Sequence, residues 1–191
     1  MSAKELRALG HPLRLQILQV LHAEGPSTAS GLARRLGESS GATSYHLRAL
    51  ERAGMIAEDE RRNGRERWWR RVAERTLIPN SIPYETDEPE RSELQAAHAK
   101  LESVLVARDE QALSRWQDIR YDVPLDWQDA GFIGGFRIWG TAEEIEQLVR
   151  DVLERAHELR QPGRSPDARE VHLTFRALIQ EKRPGDRGAG S

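Results

Sequence analysis

The chain of 191 residues is 38% hydrophobic and 31% charged, enough to build a core, and no stretch approaches the ~18 to 20 uninterrupted apolar residues of a membrane span. It has no cysteine, which excludes disulfides, thiolate metal sites and cysteine redox sensing. The net charge of −2 hides a division: residues 1–78 hold 14 Lys/Arg against 9 Asp/Glu (+5), whereas residues 79–191 hold 15 against 22 (−7), so the first half is expected to face phosphates and the second is not.

Lys4, Glu5 and Arg7 interrupt any charged-then-apolar secretory layout, and a cytoplasmic chain is expected. Ser2-Ala-Lys-Glu5 is a capping-box pattern, and with Gly10 as a stop it predicts a short helix over 3–9. Pro12 suits the first position of a second helix, on which Leu13, Ile17, Val20 and Leu21 share a face until Gly25-Pro26. Thr28 can cap a third helix that turns Ala29, Leu32, Ala33 and Leu36 inward and closes at Gly37. Ser39 or Ser40 caps a fourth helix running to about Ala53, with Gly54 as its stop. Two helices separated by a tight turn at 37–39 are the helix-turn-helix layout.

The phase of the fourth helix separates two tasks. Thr43, His46, Leu47 and Leu50 share the packing face, and Ser40, Gly41, Ser44, Tyr45 and Arg48 lie on the other, near the end that would enter a major groove. Hydroxyls exchange hydrogen bonds with base edges, Tyr45 can pack on a thymine methyl, and Arg48 suits a guanine or a phosphate. Residues 55–58 and 67–72 then flank Asn63-Gly64, a favoured two-residue hairpin turn. Arg61, Arg62, Arg65 and Arg67 crowd that hairpin, where they would meet phosphates or a minor groove. The full set expected to contact double-stranded DNA is these four arginines with Ser40, Gly41, Ser44, Tyr45 and Arg48, together with the capping Thr28 and Thr43. A solvated helix face beside a soluble hairpin is the plainer reading of each feature alone; their order favours DNA.

Residues 76–91, with Pro79, Pro83 and Pro89 among acidic residues, read as a linker. A long helix follows from about Ser92, with Leu94, Ala97, Leu101, Val104, Leu105, Ala112, Trp116 and Ile119 near one stripe, a natural dimerisation element unless the stripe packs within its own chain. Residues 132–139 read as a strand in which Gly134-Gly135 suggests a bulge, Thr141 caps an amphipathic helix, and Val171, Leu173, Phe175 and Ala177 alternate on a second strand. Trp116, Trp127, Phe136 and Trp139 are candidates for a pocket holding an unidentified small-molecule effector, with plain core as the other reading. The tail over 184–191 is expected to be disordered.

Leu9-Gly-His-Pro-Leu-Arg-Leu-Gln-Ile-Leu18, Ser44-Tyr-His-Leu-Arg-Ala-Leu-Glu-Arg-Ala-Gly-Met-Ile56 and Asn63-Gly-Arg-Glu-Arg-Trp-Trp-Arg70 together resemble the ArsR-type winged helix-turn-helix regulators, in an actinobacterial-looking branch. The resemblance covers 1–75 and extends weakly to 136–144 and 169–178. It implies a homodimeric, cytoplasmic transcription regulator, most often a repressor that an effector lifts off DNA. Ser40, Gly41, Ser44, Tyr45 and Arg48 would face the groove, with Arg62, Arg65 and Arg67 on the wing. Two departures stand out: Gly31 occupies a position often acidic, and the cysteines or Asp/His set of the metal-sensing members are missing. Histidines 11, 22, 46, 98, 157 and 172 form no pair at ligand spacing, so no metal and no cofactor is expected.

The expected fold class is α+β: a winged helix-turn-helix over 1–75, a linker over 76–91, a helical and α+β dimerisation domain over 92–183, and a tail. Asp126, Asp129 and His172 are available, but no nucleophile–base pairing, phosphate-cradling loop or zinc-protease motif accompanies them, so no enzyme is expected. The alternatives are a winged-helix protein-interaction module and a small-molecule-binding protein with secondary DNA contact.

Overall fold

The computed structural model describes residues 1–60, 66–72, 81–159, 165 and 167–180, and the chain divides into two compact units, Met1–Arg120 and Tyr121–Ser191. The first unit opens with α1 (Ala3–Leu9), held by the capping box between Ser2 and Glu5 that the sequence predicts. Helix α2 (Pro12–Ala23) begins with proline at its first position, and the Nδ1 of His11 accepts from the Leu13 N–H at 3.2 Å. Helix α3 (Ala29–Leu36) is capped by Thr28, and α4 (Ser40–Arg52) is capped by Ser39. Leu6, Leu9, Leu13, Ile17, Leu21, Leu32, Leu47, Leu50 and Ile56 merge into one core because each helix brings its apolar residues back every third or fourth position.

A small antiparallel sheet closes this core. Its strands are β1 (Ser27–Thr28), β2 (Ile56–Glu58) and β3 (Trp68–Arg71), in the order β1-β3-β2. Ile56 pairs with Arg71 and Glu58 with Trp69, so β2 and β3 run antiparallel as neighbours. Strand β1, which the sequence did not reveal, sets Thr28 beside Trp68 and ties the hairpin base to the start of α3. Two residues are too short for any alternation to register.

Helix α5 (Glu88–Ile119) starts earlier than expected, because Asp87 caps it through the Glu90 N–H at 3.0 Å and Pro89 sits in its first turn rather than in a linker. Its stripe is also divided. Leu94, Ala97, Leu101 and Val104 are buried and belong with α1 and the first unit, so the boundary expected at residue 92 lies within that unit. A Cβ on Gly10 would come within 3.2 Å of the Lys100 side chain, which shows how closely the end of α1 approaches α5. Farther along the stripe Ala112 and Trp116 are half-buried and Ile119 is exposed, as is Leu113 beside it.

The second unit holds α6 (Leu125–Ala130) and α7 (Ala142–Glu158), the latter with the expected cap at Thr141, in a capping box with Glu144. The two strands expected at 132–139 and 171–177 do not form: residues 131–141 and 168–180 have no helix, turn, bend or strand pairing. Alternation supplies the two faces of a strand, but a strand also needs a neighbour for its N–H and C=O groups, and among the described residues none is provided. The small sheet of the α+β reading thus belongs to the first unit. The tail expected over 184–191 lies outside the described residues. Among the described residues no helix is long and apolar enough to cross a membrane.

Burial along α5 leads to a stability test. Leu101→Ala, at the α1–α5 contact, is expected to cost about 2–4 kcal/mol in chemical denaturation. Leu113→Ala, on the exposed stretch, is expected to stay within about 0.5 kcal/mol of the parent. Equal losses would contradict the division of the helix.

Candidate nucleic-acid interface

The turn between α3 and α4 is built from three local devices. Gly37 takes a left-handed conformation (φ 69°), which a glycine adopts without steric cost, and its N–H bonds back to the Ala33 carbonyl. The Glu38 N–H reaches the same carbonyl at 2.9 Å. Ser39 then accepts from the Ala42 N–H at 3.1 Å and starts α4 at once. This is a helix-turn-helix.

Burial orients α4. Thr43, Leu47 and Leu50 are buried, while Ser40, Gly41, Tyr45 and Arg48 are exposed and Ser44 is half-buried. Tyr45 is 63% exposed, although an aromatic ring of this size is ordinarily well covered in a monomer. The outer face therefore offers two hydroxyls, a guanidinium and a stretch of bare backbone at Gly41, where an added Cβ would meet nothing within 4 Å.

Two expected contacts are corrected. Thr43 is 0% exposed and its Oγ1 donates to the Ser39 carbonyl at 3.0 Å, so it fixes the start of α4 from inside and has no route to a base. Thr28 is also buried; its Oγ1 accepts from the Gly31 N–H at 3.1 Å and lies 3.0 Å from the Ser30 hydroxyl, work that belongs to the cap of α3. Arg67 is exposed at the hairpin base, 3.2 Å from Glu58 and stacked 5.8 Å from the Trp69 ring centre. Arg61, Arg62 and Arg65, with the Asn63-Gly64 turn, lie outside the described residues. A contact that sequence reasoning missed, from Ser30 to Glu66 at 2.9 Å, links α3 to the hairpin.

The four candidate pocket residues are divided between the two units. Trp116 lies on α5 in the first unit. In the second, Trp127 is half-buried beneath Arg169, whose guanidinium sits 5.5 Å from its ring, and Phe136 and Trp139 are 80% and 92% exposed. Among the described residues no group of three or more His, Asp or Glu side chains could hold a metal ion.

Behind the exposed face of α4 lies an arrangement the sequence did not announce. The rings of His11 and His46 stack with centroids 4.2 Å apart, and Tyr45 meets His46 edge-on at 5.2 Å. The cap of α2 thus touches the middle of α4. Among the described residues, His46 Nδ1 and Arg14 Nε are shielded from solvent without a hydrogen-bond partner. Burial pushes both imidazoles below the ordinary histidine value, helped at His11 by Arg14 and Lys100 and at His46 by His11 and Arg14, with Glu38 opposing at each. An imidazole that the fold keeps neutral takes up its proton more readily once unfolded. Its stability contribution is therefore complete above the ordinary value of 6.5 and lost as pH falls through that value towards the lowered folded-state one. The chain is expected to melt at a lower temperature at about pH 5.5 than at about pH 7.5, and His46→Gln is expected to narrow that difference. An unchanged pH slope in the variant would exclude the pair as its source.

Residues 9–59 match the model of a family described as a helix-turn-helix domain. The match begins at the last residue of α1, spans α2, α3 and α4, and ends just beyond β2. No curated protein matches the chain. Sequence match and geometry coincide on the same segment: the first unit contains a helix-turn-helix domain, and duplex DNA is the partner which that domain supports.

Proposed function

We propose that the chain is a sequence-specific transcription regulator of the winged helix-turn-helix type, resembling the ArsR group, that represses as a homodimer on an inverted repeat and does not depend on a metal. The observation that carries this reading is the division of α4: Leu47 and Leu50 are locked into the core, and Tyr45, Arg48, Ser40 and Gly41 stand in solvent at the end of a helix that follows a helix-turn-helix turn. Such a helix lies in a major groove with its N-terminal residues on base edges, and the arginines of the hairpin supply salt-dependent phosphate contacts. Two copies would read half-sites about 34 Å apart. The role is recognition rather than catalysis, because the exposed groups are those that bond to base edges and phosphates.

Repeated selection from a random duplex library, with sequencing of what the full chain retains, tests the proposal. An enriched inverted repeat is expected; no retention of any duplex would favour a protein-interaction module instead. On the enriched site, Tyr45→Ala is expected to cost about 1–3 kcal/mol and to relax preference at one position, whereas Arg65→Ala weakens all sequences alike and flattens the salt slope. The reverse pattern would sink the groove assignment.

Gly41 provides a separate check. Its open surroundings predict that Gly41→Ala stabilises the chain by about 0.5 kcal/mol through helix propensity. Gly41→Trp is expected to leave thermal stability near that of the parent while abolishing duplex binding, since the indole would occupy the space where the backbone meets the groove. If Gly41→Trp bound duplex normally, the N-terminus of α4 would not be the contact surface.

A further inference from the structure

Tyr45 and His46 are neighbours in sequence, and on a helix such neighbours point about 100° apart and do not face each other. Here their rings nevertheless meet edge-on, with centroids 5.2 Å apart and planes at 85°, and His46 in turn stacks on His11 at 4.2 Å. The exposed tyrosine of α4 leans on an imidazole whose own support is the cap of α2.

Each imidazole has one nitrogen that the fold requires without a proton. Nδ1 of His11 accepts from the Leu13 N–H, which takes a lone pair, so the neutral ring carries its proton on Nε2. Nδ1 of His46 is shielded from solvent and has no hydrogen-bond partner among the described residues. A proton there would make a charged donor that nothing accepts. The surrounding charge works in the same direction. From α2 the Arg14 guanidinium acts on both rings, Lys100 of α5 acts on His11, and Glu38, in the turn before α4, is the opposing carboxylate at each. Arg14 is also held in place, its Nη2 donating to the Arg7 carbonyl of α1 at 2.9 Å, and it feels the Tyr45 side chain as well. A new positive charge in this stack has a fixed guanidinium beside it, and the ring it displaces is the one on which Tyr45 leans.

We propose that His46 is a positioning residue for Tyr45, and that protonation of the His11–His46 pair releases the tyrosine, so that sequence preference at the base it meets is lost in mild acid while the chain stays folded. For its use on DNA this inference rests on the regulator reading. Only the neutral pair supports Tyr45. Affinity is therefore complete above the folded-state value of the imidazoles, which burial holds below the ordinary 6.5, and falls as pH drops through it. General electrostatics runs the other way, because a histidine that simply gains charge in acid strengthens the hold on phosphates. The sign of the pH dependence separates the two.

The full chain is first titrated without DNA while its histidine and tyrosine ring signals are followed by NMR. The Tyr45 signals are expected to move at the midpoint at which His46 titrates; a Tyr45 indifferent to that midpoint overturns the proposal whatever the chain does with DNA. On the site enriched from the duplex library, affinity is then expected to fall roughly 10-fold between about pH 7.5 and about pH 5.5, with unchanged far-UV circular dichroism and relaxed preference at the Tyr45 position. His46→Phe keeps a ring in the stack that cannot take a proton, and is expected to bind nearly as the parent does at the higher pH and to lose the fall at the lower. His11→Asn keeps an acceptor for the Leu13 N–H, so α2 stays capped if the larger phenyl ring is not accommodated, and is expected to shrink the fall. In Tyr45→Ala the fall is expected to vanish. Affinity that rises in acid, or a fall that persists undiminished in these variants, overturns the proposal. A Tyr45 that follows His46 in a chain retaining no duplex supports the coupling and overturns the regulator reading alone.

Discussion

Everything the first unit can do depends on the burial of one face of α4. Leu47 and Leu50 are fixed among α2, α3 and Ile56, and Thr43 turns its hydroxyl back to Ser39, so the helix has no freedom to rotate. Turning it by one residue would swing its side chains by about 100°, placing apolar groups in water and polar ones in the core. Burying a leucine is worth roughly 1.5–3 kcal/mol, so two leucines suffice to hold that orientation. The positions of Tyr45 and Arg48 are consequences of what lies behind them. The stacked His11 and His46 extend the same logic by connecting the cap of α2 to this helix.

How much of this was legible depends on the range of the forces involved. The caps at Ser2, Thr28, Ser39 and Thr141 could be read because each is a contact across three residues or fewer. The faces of α2, α3 and α4 could be read because a helix repeats its apolar residues at short range. Thr43 and Thr28 show where composition misleads. Helix phase put Thr43 on the packing face and local pattern made Thr28 a cap, yet both also looked like base readers by their hydroxyls; burial decides for the backbone. Strand β1 was invisible because its reason for existing lies some forty residues away, in Trp68 and Trp69.

The second unit shows the opposite error. The alternation in 171–177 is real, but periodicity specifies only the faces of a strand and says nothing about who sits at its edge. Within α5 the apolar stripe runs the length of the helix, yet α1 takes only its first half. Sequence periodicity records that a surface wants cover; it does not record whether the cover comes from the same chain. That one ambiguity accounts for the expected strands that find no pairing among the described residues.

The charge division gives the ambiguity a functional meaning. With a balance of +5, residues 1–78 can make a limited number of phosphate contacts, and a single recognition helix reads only a few base pairs. On the proposed reading, a single copy would bind weakly and be outcompeted by the rest of a genome. Joining two copies makes the second contact intramolecular, which raises overall affinity by roughly 10²–10⁴ without any new base contact. Residues 121–191 hold 10 Lys/Arg against 13 Asp/Glu (−3), a balance that gains little from phosphates. Selectivity in such a molecule would come from the geometry of the joint as much as from Tyr45 or Arg48, because only sites whose spacing matches the joined pair engage both helices at once.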